Sequence, residues 1–315
     1  MLLNEIVRAC RGSFGYPADM EITQISSDTR TMQKGCVFIA LEGELFDGHD
    51  FAVEAMEKGA EAVICQRPIQ DVKCIIVDST KQALLELATF YRRRFPALLV
   101  GVTGSVGKTT VTEMLAEIMS CKGDVLKTEE NKHNEIGLPL TILKFNEDHK
   151  TAVVEMGITA TNGISNLSVV AQPDIEIITN IGYAHYESYG SLESILKAKL
   201  EILDGASYNT PLILNLDDKL LAQVETRGAR TIVYYSLKDK KADFYAEGIK
   251  FNDGKTSFKV RFDDQKVLIT INCLGKHNVR NALAAFAGAV SAGASEFLTL
   301  CLPKQLIVIK TFWSS

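Results

Sequence analysis

The sequence has no excess of positive charge. Its 34 lysines and arginines stand against 39 acidic residues, for a formal net charge of −5. With a pI near 5.7, the chain offers no field to hold a nucleic-acid backbone, and nucleic acid is not expected as a partner. Long apolar runs are also missing. Nothing approaches the ~20 residues of a membrane span, and the opening MLLNEIVRACRG lacks the basic start and apolar core of a signal peptide. No membrane insertion and a cytoplasmic location are expected. The seven cysteines, at 10, 36, 65, 74, 121, 273 and 301, include no C-x-x-C pair. That scatter disfavours a disulfide framework and a zinc site, and leaves incidental thiols. Internal repeats and low-complexity segments are absent too.

What is present is a chain of 315 residues, 46% of them hydrophobic, which suits a substantial core in two or three domains. Up to about residue 80, strand-like pieces (CVFIAL, EAVIC, CIIVD) alternate with the helical FAVEAMEKGA. Short βα units of this kind make a small α/β domain. KQALLELATFYRRRFP reads as a helix ended by Pro96, with Arg92, Arg93 and Arg94 in the last turn where cations suit the helix dipole. A first domain over 1–96 is therefore expected, then a second over 97–297. In the second, LLVGVTG, TAVVEMG and IEIITNIG are nearly continuous apolar strands. Such strands are buried on both faces, so a mostly parallel sheet with helices on both faces is expected. TSFKVRF and KVLITIN alternate and predict an appended antiparallel hairpin. GKHNVRNALAAFAGAVSAG reads as a helix, and the tail over 298–315 shows no clear periodicity.

GVTGSVGKTT, residues 101–110, joins an apolar strand to a helix whose Val111, Met114, Leu115 and Ile118 repeat at helical spacing. The full P-loop pattern G-x-x-x-x-G-K-[ST] is not met, because Val102 stands five before Gly107. What remains is Gly104-Ser105-x-Gly107-Lys108-Thr109-Thr110. Glycines let backbone N–H groups turn toward phosphate oxygens, the helix N-terminus favours an anion, Lys108 neutralises terminal phosphates and the Thr109 hydroxyl can ligate Mg2+. Metal ligands are sought at the carboxyl ends of neighbouring strands. Glu155, ending TAVVEMG, and His185, after IITNIGYAH, are the candidates. Taken singly, each also fits an ordinary solvated or structural side chain.

GVTGSVGKTT, NEIGLPLTIL, VVEMG, TNIGYAHYESYGSLESILKAKLEIL and GKHNVRNALAA follow the order and spacing of the Mur ligases, ATP-dependent enzymes of peptidoglycan precursor synthesis, and the chain resembles that family. The segment from Ser26 to Val63 resembles the UDP-binding domain of its later members. The match covers most of residues 22–294. The resemblance implies an α/β fold: a small N-terminal domain binding a UDP-sugar, then a P-loop-type ATPase domain. It also implies amide formation through an acyl phosphate. NKHNEIGLPLTIL is similar to the segment of members that add D-alanyl-D-alanine to UDP-N-acetylmuramoyl-tripeptide, which makes those two compounds the expected substrates of a monomer. Two departures stand out: His133 replaces an Asn, and Val106 stands where the family often has Asn or Ser.

By this resemblance, ATP lies on Gly104, Ser105, Gly107, Lys108, Thr109 and Thr110, with Asn278 and Asn281 at the adenine. Thr109 and Glu155 hold one Mg2+, and His185 a second together with Lys199, the position that is carbamylated in the family. Ser27, Asp28, Arg30, Gly48, His49, Asn131 and Asn134 bind the uridine nucleotide substrate. Read without the resemblance, Lys199 is an ordinary helix lysine, Asn278 a helix cap and Asp28 a turn cap. The family-like sequence fades near Ser295, and a shifted reading frame or a truncated product is expected to account for the tail. Three alternatives stay open: the tripeptide-forming Mur ligase, a folylpolyglutamate synthetase, which the N-terminal domain disfavours, and a non-catalytic nucleotide-binding fragment.

Overall fold

The computed structural model describes residues 1–43, 46–129, 132–157, 163–225 and 229–293, and the backbone of 307–311. They form two compact units: 1–95 with 135–145, and 96–134 with 146–315. The chain is thus divided less simply than by one cut at residue 96. The helix Gly137–Ile142 belongs to the first unit. Leu140 and Leu143 pack on that unit's core, which is why an apolar segment quoted for its substrate motif also carries a structural load.

In the first unit, β1 (Ile25–Ser26), β2 (Val37–Ile39), β3 (Ala62–Cys65) and β4 (Cys74–Ile76) make a four-stranded parallel sheet in that order. Its strands obey the two-residue period. Val37, Ile39, Ala62 and Ile64 join one apolar cluster with Leu84 and Leu87, while Phe38, Val63 and Cys65 join another with Ala52 and Ala55. The helix Thr80–Arg92 starts where the Ser79 hydroxyl accepts the Gln82 N–H, and it ends before Pro96.

The second unit holds a ten-stranded sheet. Its strands are β5 (Leu98–Thr103), β6 (Asp124–Lys127), β7 (His149–Glu155), β8 (Ile175–Ile178), β9 (Leu212–Asn215), β10 (Ile232–Ser236), β11 (Phe244–Asn252), β12 (Lys255–Phe262), β13 (Gln265–Ile271) and β14 (Ile307–Thr311). The spatial order is β14-β13-β12-β11-β10-β9-β8-β5-β7-β6. Neighbours from β6 to β11 run parallel, and β11 to β14 antiparallel. Val100 and Val102 of β5 pack with Met114 and Leu115 of the helix Lys108–Met119 and with Leu283 and Phe286 of the helix Lys276–Ser291. On the opposite face, a Cβ on Gly101 would approach Ile202 and Pro173. Both faces are covered, and β12 with β13 is the expected hairpin.

Three features go beyond the sequence reading. β6 and β11 carry no clear strand pattern in the residues, because β6 is short and β11 changes register at a bulge between Glu247 and Lys250. The tail, read as patternless, supplies β14, which pairs Ile307 with Ile271 and Thr311 with Val267 at the sheet edge. A β-branched run needs only an open edge to extend a ladder. Cys10, Cys36, Cys65, Cys74 and Cys273 are free thiols, but Cys121 is disulfide-bonded, against the expectation of incidental thiols throughout. No described helix is long and apolar enough to cross a membrane.

Candidate nucleotide and substrate sites

β5 lies in the middle of the parallel strands and delivers residues 104–110 to their carboxyl edge. Two glycines make the turn possible. Gly104 has φ +150°, and a Cβ there would lie 1.9 Å from Thr179 Oγ1; Gly107 has φ +86°, and its Cβ would lie 2.5 Å from Asn281 Oδ1. Neither conformation nor space admits a side chain. Gly107 is the N-cap of the helix Lys108–Met119, so Lys108, Thr109 and Thr110 occupy its first turn, where unsatisfied N–H groups gather.

These side chains face Glu155, at the end of β7. Thr109 donates to Glu155 Oε2 at 2.8 Å, and Lys108 Nζ is 3.8 Å from Oε1. His133 Nδ1 is 3.7 Å from the same Oε1. Glu155 is only 5% exposed, and its own N–H donates to Thr128 Oγ1 at 2.9 Å. A nearly buried carboxylate beside a hydroxyl, with a cation close by, is a hard-oxygen donor set that fits Mg2+.

Two further side chains belong to the same electrostatic neighbourhood. Lys199, on the helix Leu192–Leu200, is 2% exposed. Burial, with repulsion from Lys108, brings its ammonium down to about 7. His185 sits at φ +65° ahead of the short helix Tyr186–Tyr189. Desolvation lowers its pKa, and Lys199, Lys108 and His133 push the same way. The mutual repulsion of these basic groups favours anionic groups beside them.

Asn281 lies against Gly107. The Asn278 side-chain amide donates to the Leu274 carbonyl at 2.9 Å, the local bond expected of a residue ordering a helix start. Ser105 is buried, and its hydroxyl bonds to Gly182 rather than facing solvent.

In the first unit a cavity of about 570 Å³ is lined by Ser27, Asp28, Arg30, Gly48, Phe38, Phe46 and Ile136, among others. Arg30 grips Asp28, with Nη2 2.7 Å from Oδ2 and Nε 2.9 Å from Oδ1, and holds the carboxyl at about 2. Gly48 passes so close to Leu41 that a Cβ would meet its carbonyl oxygen at 2.6 Å. His49, expected to touch substrate, is 4% exposed and does not line the cavity. Its Nδ1 lies 2.5 Å from Asp47 Oδ1 and its Nε2 accepts the Gln66 N–H at 3.0 Å, so the ring pegs the turn in place. Asn131 lies outside the described residues. Asn134 is half-buried, in the second unit. Thr128, Thr179 and Asn180 join the same edge without being among the expected site residues. The only local signal was the TN pair that directly follows the apolar strand β8.

A glycine-kinked loop at the carboxyl edge of a parallel sheet, with Lys and Thr opening the next helix opposite a buried carboxylate, defines a P-loop nucleotide-binding unit. The chain belongs to the Mur ligase family: residues 102–289 match the Mur ligase middle domain and residues 21–98 match the Mur ligase family, catalytic domain. It is similar to the UDP-N-acetylmuramoyl-tripeptide--D-alanyl-D-alanine ligase of Escherichia coli K12, at 37% identity over 280 residues, 88% of this chain and 62% of that protein. The structure is similar to crystal structure I of MurF from Acinetobacter baumannii, with TM-score 0.85 and 30% identity over 92% of this chain and 65% of that one. It is also similar to the MurF ligase from Thermotoga maritima in complex with ADP, with TM-score 0.78 and 29% identity over 86% and 63%. The chain spans 60–64% of the length of the curated relatives that it matches at 37–39% identity.

Proposed function

We propose that this chain carries the nucleotide and acyl-substrate sites of an ATP-dependent ligase that joins D-alanyl-D-alanine to UDP-N-acetylmuramoyl-tripeptide, in cytoplasmic peptidoglycan precursor synthesis, as a monomer. The observation that carries the reading is the Lys108–Thr109–Glu155 constellation on a glycine-bounded loop. It supports phosphoryl transfer, in which positioning and charge neutralisation are most of the catalysis. A carboxylate oxygen of the tripeptide attacks the γ-phosphorus and ADP leaves. The dipeptide amine then attacks the acyl carbon, and phosphate leaves with the C–N bond formed.

Lys108 neutralises the transferring phosphoryl group. Thr109 and Glu155 would hold one Mg2+ and His185, with Lys199, a second; the ions supply charge stabilisation on the phosphoryl oxygens. Lys199 near pKa 7 has a large share of neutral amine at physiological pH. That nitrogen adds to the carbon of CO2 and releases a proton, which leaves a carbamate anion in place of a buried cation. Asn281, beside the loop, and Asn278 face the adenine. Ser27, Asp28, Arg30 and Gly48 bind the uridine nucleotide, His49 braces their turn, and Asn131 and Asn134 serve the acyl substrate.

The test is incubation with ATP, Mg2+, UDP-N-acetylmuramoyl-tripeptide and D-alanyl-D-alanine, following phosphate release and pentapeptide product by mass. Amide product from a single amino acid and the dipeptide-sugar, with none from D-alanyl-D-alanine, moves the assignment to the tripeptide-forming reaction. A chain that binds neither ATP nor the uridine nucleotide overturns the reading.

A further inference from the structure

The phosphate loop does not hold its own shape. Its exposed crest, Val106, has a side chain open to solvent, so nothing apolar anchors it. A second loop, residues 179–182, does the anchoring. Val106 N–H donates to Asn180 Oδ1 at 3.1 Å, and Asn180 Nδ2 donates back to the Val106 carbonyl at 2.8 Å. The Asn180 amide thus pairs with both polar groups of one residue, as a neighbouring strand would. Thr179 Oγ1 donates to the same carbonyl at 2.7 Å. Ser105 N–H donates to the Asn180 carbonyl at 3.0 Å, and Gly182 N–H to Ser105 Oγ at 2.8 Å. The clamp is itself fixed from the far side, because Asp218 Oδ2 accepts the Ile181 N–H at 2.8 Å.

Three residues after Gly182 the same loop presents His185. The phosphate loop and the segment leading to His185 are therefore mounted on one hydrogen-bonded frame.

We infer that Asn180 is the positioning residue that couples nucleotide occupancy of the phosphate loop to the placement of His185. This rests on the nucleotide site proposed above and adds to it a residue outside the proposed phosphate and metal ligands. The amide of Asn180 sets the crest of the loop, and any tightening of the loop around phosphate is transmitted through Ser105, Val106 and Gly182 to the segment ending at His185. The departure at Val106 is accounted for in the same way, since the frame grips the backbone of residue 106 and ignores its side chain.

Two measurements on the whole chain test this. Amide hydrogen exchange with and without Mg-ADP is expected to show added protection at Ser105 and Val106 and, in step with them, at Gly182 through His185. Titration of Mg-ADP is expected to give at least a tenfold weaker Kd for Asn180→Ala. Asn180→Asp, isosteric but with a carboxylate oxygen against the Val106 carbonyl, is expected to weaken binding to a similar degree while the thermal midpoint stays within a few degrees of the parent. In both variants protection at 182–185 no longer follows nucleotide. Binding by Asn180→Ala within twofold of the parent overturns the inference. So does protection of the phosphate loop with no change at 182–185, which the parent alone reveals even where a variant fails to fold. A parent that binds no nucleotide overturns the nucleotide reading and this inference with it.

Discussion

The phosphate loop and the cavity of the first unit hold their polar groups in different ways. In the loop, three residues are held by partners distant in sequence: Thr109 by Glu155, Val106 by Asn180 and Ser105 by Gly182. In the cavity, Asp28 and Arg30 hold each other two residues apart, and the arginine side chain is 84% exposed. A network of partners far apart in the chain transmits displacement and punishes substitution, while a solvent-exposed local pair is screened and adapts. Long-range hydrogen bonding is therefore concentrated at the phosphate loop, while the first-unit cavity is shaped mostly by apolar walls.

The contrast is broken most severely at Gly104. Gly104→Ala places a methyl 1.9 Å from Thr179 Oγ1 at φ +150°; a loss of about 3 kcal/mol in chemical denaturation and no measurable nucleotide binding are expected. Next comes Lys108→Ala. Loss of a charge-assisted contact to phosphate of ~2–3 kcal/mol corresponds to a roughly hundredfold weaker Kd for ATP by calorimetry. Uridine nucleotide binding in the first unit is expected to be unchanged.

Lys199 gives a pH signature on the alkaline side of neutrality. Its folded pKa, near 7, lies below the ordinary value of 10.5, so between those values the unfolded chain binds more protons and folding stability rises with pH. Below pH 7 the whole burial cost is present. Lys199→Met in CO2-free buffer is expected to stabilise the fold by about 2 kcal/mol at pH 6.5, with the gain fading toward pH 10.5. A gain independent of pH would show that packing, not charge, is responsible. The smallest effect is expected at Arg30→Ala: about a fivefold weaker Kd for a uridine diphosphate sugar, mostly abolished by 0.5 M salt, with ATP affinity unchanged.

Much of this was legible in the residues. Continuous apolar strands such as LLVGVT announced a sheet covered on both faces, and G-x-x-G-K-T between strand and helix announced the phosphate loop. His49 illustrates what was not legible. DGHDF looks like a binding turn, yet its imidazole is spent on Asp47 and Gln66, the latter seventeen residues away. The helix Gly137–Ile142 is similar: its motif suggests substrate, but Leu140 and the following Leu143 pack on the core of the first unit from a distance no local pattern encodes.

By itself the sequence determined where backbone freedom and charge occur: glycines at 104 and 107, a lysine and threonine opening a helix, and acids and histidines after strands. These follow from local sterics and periodicity, which are properties of neighbouring residues. Only the tertiary structure decided which of those groups meet. The burial that brings Lys199 to neutrality near pH 7, the approach of His133 to Glu155, and the grip of Asn180 on Val106 arise because parallel strands far apart in the chain end at one edge. Desolvation and hydrogen bonding there depend on what packs alongside, not on what comes next in sequence.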